Sequence, residues 1–287
     1  MSPVNSIQNS PATRYQNAAL SYYLSLTNSP FLHYGYWEPL PLASEELTIQ
    51  RLRRAQQAYA TKLLSFIPPT IKTILDVGCG VGGNASYLLA QGFSVEGLAP
   101  DAFQQEQFLR QTQGLAPFHL TTFENFQATH PYDLILLSES SQYIAAPDIA
   151  QGAARLLNAG GYLLIADMMR SNAQYTQGIF SNCCLIGELE MALTQAGFVP
   201  LSREDISAQI VPTIDLCVQN FQRFGLSTLR YLGDLLAIAV PPLYKLLRWL
   251  YGRYLESVIT EGLEARRIFE EHLCYQIQLW QLTSKGN

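Results

Sequence analysis

The chain has 287 residues, of which 48% are hydrophobic and only 14% charged, with a formal net charge of −5. A chain of this length and composition buries a large core, as one domain or one domain with a cap, and keeps apolar surface for a pocket or a partner. It has no block of Lys or Arg, which excludes a nucleic-acid footprint. The polar start, Met1-Ser2-Pro3-Val4-Asn5, has no apolar signal core. Ser10-Pro11 then reads as a helix N-cap and first turn, followed by Tyr15, Ala19, Tyr22, Tyr23 and Leu26 at helical spacing. Asn28-Ser29-Pro30 breaks that helix, and the aromatic loop Phe31-Leu32-His33-Tyr34-Gly35-Tyr36-Trp37 follows. A second helix shows Leu52, Ala55, Tyr59, Leu63 and Phe66 on one face and ends at Pro68-Pro69.

From there strand and helix alternate. Strands are expected at Thr73–Val77, Phe93–Leu98, Phe118–Thr121, Asp133–Leu137, Tyr162–Ala166 and Val199–Glu204. The intervening helices are expected near Asn84–Ala90, Asp101–Gln113, Pro147–Leu157 and Leu185–Ala196, with a turn at Asn158-Ala159-Gly160-Gly161. The continuously apolar run Asp133–Leu137 suits the buried centre of a parallel sheet. From about Ser207 to Glu271 the chain reads as helix, with breaks at Pro212, Gly225 and Pro241-Pro242. Leu273–Leu282 alternates as a final strand. The pattern predicts an α/β, doubly wound sheet with an antiparallel last strand and a helical insertion before it. The longest apolar stretch, Leu232 to Leu250, is interrupted by Asp234, Pro241, Pro242, Lys245 and Arg248, too often for a spanning helix. Core and pocket come first as its role, and contact with a membrane surface is the lesser reading. Cys79, Cys183, Cys184, Cys217 and Cys274 form no C-x-x-C pair and do not cluster with His33, His119, His130 or His272. Neither a metal site nor a disulfide framework is expected, and reduced thiols fit a cytoplasmic location.

The chemistry concentrates in Ile74-Leu75-Asp76-Val77-Gly78-Cys79-Gly80-Val81-Gly82-Gly83-Asn84-Ala85. A strand enters an acid, a glycine-dense turn and a helix whose first N–H groups are free. Gly78, Gly80 and Gly82 let a ligand lie directly on the backbone. Gly78-x-Gly80-x-x-Gly83 also satisfies the dinucleotide fingerprint, so a nicotinamide-dependent oxidoreductase is a competing reading. Asp76 weighs against it, because a carboxylate there repels a pyrophosphate and suits a cation. No Tyr-x-x-x-Lys pair supports hydride chemistry.

The whole string resembles motif I of the class I S-adenosylmethionine-dependent methyltransferases. The resemblance continues through Val95-Glu96-Gly97-Leu98-Ala99-Pro100-Asp101, Phe118–Glu124, Asp133–Ser138 and the turn Arg155-Leu156-Leu157-Asn158-Ala159-Gly160-Gly161. It implies a Rossmann-like seven-stranded sheet with residues 61–206 as core, 1–60 as N-terminal helical lid, 207–271 as helical substrate cap and 272–287 as last core strand and tail. It also implies S-adenosylmethionine as cofactor, in contact with Asp76, Gly78, Gly80, Gly82, Ala99, Pro100, Gln104, Phe123, Glu124 and Ser138. Ala99 departs from the family, where an acid binds the ribose hydroxyls; alanine accepts no hydrogen bond, so Gln104, Asp101 or a lid residue must serve. That departure also opens a third reading, a non-catalytic carrier of apolar ligands.

His33-Tyr34-Gly35-Tyr36-Trp37 is similar to a lid segment of tocopherol, sterol, cyclopropane-fatty-acid and prenyl-diphosphate methyltransferases, which places Tyr36 or Trp37 near the sulfonium. Ser138-Glu139-Ser140-Ser141-Gln142-Tyr143 is similar to a run in prenyl-diphosphate C-methyltransferases. Glu139 is the first candidate for general base or cation stabiliser, ahead of His33 and Tyr34. The segments Phe31–Pro39 and Val95–Gln105 also resemble cyanobacterial tailoring O-methyltransferases of the kind that act in microcystin-type pathways. The expected acceptor is a bulky hydrophobic small molecule, methylated on a hydroxyl or, alternatively, on a carbon of a prenyl chain or prenylated ring. It arrives free or tethered to a carrier protein, and the apolar residues of the cap enclose it.

Overall fold

The computed structural model describes residues 20–21, 23–41 and 47–283. The start expected at Ser10-Pro11, with Tyr15, Ala19 and Tyr22, lies outside the described residues; helical turns cover residues 23–27. Helix α1 (Ile49–Leu64) starts where the Thr48 side chain accepts the Arg51 N–H, and buries Leu52, Ala55, Tyr59 and Leu63. Phe66 falls past its end but still packs on the core.

Strands β1 (Thr73–Val77), β2 (Ser94–Ala99), β3 (Phe118–Leu120), β4 (Tyr132–Ser138), β5 (Leu157–Arg170), β6 (Phe198–Asp205) and β7 (Leu273–Leu282) form one sheet in the order β3-β2-β1-β4-β5-β7-β6. β1 pairs in parallel with β2 and β4, and β7 runs antiparallel between β5 and β6. The last strand therefore fills an interior slot, and this explains why Leu273–Leu282 is buried almost throughout. Successive residues of a strand face opposite sides. Ile74, Leu134 and Leu136 join Tyr59 of α1, Leu88 of α2 (Gly83–Ala90) and Phe108 of α3 (Ala102–Gln111) in one core. Leu75, Ile135 and Leu137 join Ile149 of α4 (Ala146–Leu156) and Leu189 of α5 (Ile186–Gln195) in the other. Each such aliphatic side chain contributes about 1.5–3 kcal/mol on burial.

Three expectations need correction. Asn158–Gly161 is an excursion inside the long β5, not a turn before it: the β4 ladder passes from Tyr132↔Leu157 to Leu134↔Tyr162, and Gly160 supplies φ +76°. Pro212 does not break the insertion; it sits within α6 (Ser207–Asn220). The carbonyl that its missing N–H would have used belongs to the exposed Ala208, which is open to water. Third, α7 (Leu226–Ala239) and α8 (Pro241–Leu263) bury no residue. Phe224, Tyr231, Leu232, Leu235, Leu243, Leu246 and Trp249, expected in core and pocket, are exposed. The two helices cross-pack as a hairpin after a π-type turn at Phe221–Gly225, and α9 (Ala265–His272) leads back into β7. No helix among the described residues is long and apolar enough to cross a membrane.

Candidate functional site

The carboxyl ends of β1, β2 and β4 open into a cavity of about 660 Å³. Its floor is the loop after β1, where Gly78, Gly80 and Gly82 take φ values of +71°, +55° and +90°. A Cβ at Gly78 would lie 2.3 Å from the Ser140 Cβ, and one at Gly80 2.8 Å from the Leu32 side chain. The bend is tied to β2 by the Gly78 N–H donating to the Leu98 carbonyl at 2.8 Å. Beneath it lies Asp76, 1% exposed. Its Oδ2 has no hydrogen-bond partner, and burial pushes its pKa up to about 7. A buried carboxylate oxygen without a donor, at the floor of a cavity, is an acceptor prepared for a cationic or donor-rich ligand.

The second focus is the end of β4. Glu139 has φ +56°, a left-handed conformation that a non-glycine residue adopts at a cost. Its N–H donates to the Ala166 carbonyl at 2.9 Å. Its Oε1 accepts the Tyr34 N–H and the Tyr275 hydroxyl, each at 2.8 Å. The Tyr275 and Tyr59 hydroxyls lie 2.7 Å apart, and Tyr59 reaches the Ser138 hydroxyl at 3.2 Å. The carboxylate is thus held by α1, β7 and the aromatic loop together. Burial raises its pKa to about 8, against the lowering effect of the Tyr34 N–H and Tyr275 hydrogen bonds. The neighbouring Asp167, pushed up to about 6 by burial, accepts the Ser141 N–H and hydroxyl at 2.8 and 2.7 Å and fixes the turn after Glu139.

His33 lines the same cavity. It stacks on Tyr59 at 4.1 Å, and its Nδ1–H donates to the Tyr34 carbonyl at 2.8 Å. Burial lowers its pKa to about 4, so the ring is neutral at neutral pH. Its Nε2 and the adjacent Asn84 Oδ1 both lack a partner; turning the Asn84 amide over makes Nδ2–H a donor to Nε2.

Of the residues singled out from the sequence, His33, Asp76, Gly78, Gly80, Ala99, Pro100, Gln104, Phe123, Glu124, Ser138 and Glu139 line the cavity together. Tyr34, Tyr36, Trp37 and Gly82 do not. Tyr34 reaches the site through its backbone N–H on Glu139. Trp37 is 2% exposed and packs with Leu52, Ala55 and Leu216, away from the cavity. Its Nε1–H and the Gly35 N–H both donate to the Thr213 hydroxyl, at 2.8 and 3.1 Å. Trp37 therefore anchors the loop to α6. Tyr36 faces Lys62 at 5.6 Å. Gly82 is bare because Phe108 of α3 packs against it: a Cβ there would lie 2.9 Å from the Phe108 ring. No residue of 207–271 lines the cavity, so the enclosure expected from the insertion comes instead from Leu20, Tyr23 and the loop Pro30–His33. Sequence reading took Tyr59 for core only and missed Tyr275 and Asp167 entirely. Each lies on an apolar strand or helix face, where spacing gives no sign of a hydrogen-bonding role.

A family model described as "Methyltransferase domain" matches residues 50–203. A ubiquinone biosynthesis O-methyltransferase of Hydrogenovibrio crunogenus is 31% identical over 116 residues, 38% of this chain and 48% of that protein. The chain thus spans about half the length of this curated relative. Among solved structures, the [4+2]-cyclase SpnF superposes with a TM-score of 0.67 at 18% identity, covering 93% of each chain. A geranyl diphosphate C-methyltransferase from Streptomyces coelicolor A3(2), in complex with Mg2+, geranyl diphosphate and S-adenosyl-L-homocysteine, gives 0.64 at 17%, covering 95% of this chain and 99% of that one. At these identities the structural matches speak for the fold.

Proposed function

The chain belongs to the methyltransferase-domain family, and from that premise we propose that it transfers a methyl group from S-adenosylmethionine to a hydroxyl on a bulky, hydrophobic small molecule. A polyketide or peptide–polyketide of the microcystin type, free or carrier-tethered, is the acceptor this reading favours. The single observation that carries it is the orphaned Asp76 oxygen under a glycine bend, in one cavity with the anchored Glu139 carboxylate. The residues fit the cofactor: Asp76, Gly78 and Gly80 offer an acceptor and bare backbone, while Pro100, Gln104, Phe123 and Glu124 line the remaining wall. With Ala99 unable to bind ribose hydroxyls, Gln104 takes that part. When bound, the cofactor supplies an electrophilic methyl carbon.

The protein then has to orient the acceptor, exclude water and take one proton. Glu139 takes it. Its recorded hydrogen bonds all use Oε1, which leaves Oε2 as the acceptor for the hydroxyl proton. Burial raises its pKa to about 8, which keeps the group largely protonated at neutral pH until a cation binds beside it. A positive ligand in the same cavity favours the ionised form, so the base becomes competent as the donor binds. His33, with its pKa lowered to about 4, is the weaker base and serves as a fixed wall. Residues 1–60 act as the lid, a role supported by Leu20, Tyr23 and the loop Pro30–His33 on the cavity wall.

Carbon methylation of a prenyl chain or prenylated ring is the second reading. The Tyr23, Phe31 and Tyr143 rings, which line the cavity with Glu139, favour it, since aromatic faces and a carboxylate steady a carbocation. Among the described residues no Lys or Arg lines the cavity, so these residues offer a diphosphate no cationic clamp. The five free cysteines suit a reducing, cytoplasmic setting. The deciding experiment incubates a metabolite extract with the protein and methyl-labelled S-adenosylmethionine. Mass spectrometry detects the product, and NMR assigns the labelled carbon to oxygen or carbon. Failure to bind S-adenosylhomocysteine or NAD while still binding hydrophobic ligands would overturn the enzymatic reading in favour of a carrier.

A further inference from the structure

The α7–α8 hairpin takes no part in the cavity and covers none of the core. Its apolar residues nevertheless follow helical order. Leu229, Leu232 and Leu235 form an exposed stripe on α7, and Leu243, Leu250 and Tyr254 form one on α8. Trp249 and Ile238 are 80% and 78% exposed. Such a continuous apolar surface is larger than a monomeric protein ordinarily leaves to water.

The charges on this hairpin say what covers it. Residues 221–263 hold five basic side chains, Arg223, Arg230, Lys245, Arg248 and Arg253, against Asp234, Glu256 and Glu261, in a chain with 23 acidic and 18 basic residues. All five are exposed. None joins an ion pair among the described residues, whereas Arg266 and Arg267 at the foot of the hairpin are paired with Asp215, Glu264, Glu270 and Glu271. On α8, Lys245 and Arg248 lie on the side of the helix away from the Leu243–Leu250–Tyr254 stripe, a side they share with Trp249 and Glu256, so cations and an amphipathic ring meet the headgroups together. Tyr and Trp favour the same headgroup level. A second copy of the chain would set these unpaired cations against one another, and an anionic surface neutralises them. A span is excluded, because neither helix is long and apolar enough to cross a bilayer.

We propose that the α7–α8 hairpin docks the protein on an anionic lipid bilayer, lying in the headgroup region without crossing it. This reading stands independently of the methyl-transfer chemistry. The test mixes the full chain with phosphatidylcholine vesicles with or without phosphatidylglycerol, and follows sedimentation and tryptophan emission. Trp37 and Trp280 are each 2% exposed, so a change in emission reports Trp249. The expected result is co-sedimentation and a blue shift with phosphatidylglycerol vesicles, both weakened by salt. The pair Lys245→Glu with Arg248→Glu lowers partition roughly tenfold or more, and Ile238→Ser with Trp249→Ser abolishes it, while both variants melt like the parent. No binding to either vesicle, or binding unaffected by both double variants, overturns the proposal. So does a dimer in light scattering that the Ile238→Ser, Trp249→Ser variant dissociates, because the hairpin then covers a second copy.

Discussion

Replacing Asp76 by Asn isolates the physical cost of the cofactor site. The native carboxyl titrates near 7 instead of 3.8, with burial as the cause and no hydrogen bond to its Oδ2. Three units at about 1.36 kcal/mol each put the cost of ionising it in the empty protein at about 4 kcal/mol. The sign follows from proton binding: the folded state holds this proton more tightly than the unfolded state. The stability linked to it is therefore full below about pH 4 and lost as pH rises through 7. Between pH 5 and 8 the loss is about 2.5 kcal/mol. An unfolding entropy of about 2.1 cal/mol/K per residue over this chain converts that to about 4 °C in Tm. Asn carries no charge at any of these pH values, and the shared effects of Glu139 and Asp167 cancel in the difference between the two proteins. The Tm advantage of Asp76→Asn over the parent should therefore widen by about 4 °C from pH 5 to pH 8 in scanning calorimetry without ligand. Affinity for S-adenosylmethionine, read by titration calorimetry at pH 8, should fall at least roughly tenfold, the value of one charge-assisted hydrogen bond. Parallel pH profiles combined with unchanged affinity would refute the placement of a cation against Asp76.

Glu139→Gln should leave cofactor affinity within about twofold and cut turnover by about 10²–10⁴, the range of a lost general base; unaltered turnover in a labelled-methyl assay moves the base elsewhere. In the parent, turnover should rise with pH as Glu139 ionises, since its pKa is raised toward 8. Tyr275→Phe removes a hydrogen bond that favours the ionised carboxylate, so the ascending limb should move to higher pH; an unmoved limb argues against coupling of the two groups. Gly80→Asp forces a side chain into a left-handed position 2.8 Å from Leu32, and measurable S-adenosylmethionine binding by that variant would contradict the assignment of the bend. Thr213→Ala leaves the buried Trp37 and Gly35 donors without an acceptor, which costs about 1–3 kcal/mol each. Urea titration should show that loss, and faster proteolysis of the aromatic loop should accompany it.

The order of strands and helices was readable because it rests on local periodicity: apolar runs for strands buried on both faces, helical spacing between them, and glycines where the backbone takes φ values that side chains resist. The motif after β1 was readable for the same reason, since Asp76 and its glycines are consecutive and their chemistry is local. The antiparallel course of β7 came from the resemblance and from its alternation, but its interior position between β5 and β6 is a fact of long-range pairing. Other outcomes depended on contacts between residues far apart in the chain. Tyr275 stands 136 positions from the Glu139 it holds, and Thr213 stands 176 from the Trp37 it anchors. The aromatic composition of the loop could not tell which ring faces a ligand and which faces a helix. Nor could the leucines of α7 and α8 reveal that they point to solvent, because an amphipathic helix is written identically whether its apolar face meets a core or a surface outside the molecule.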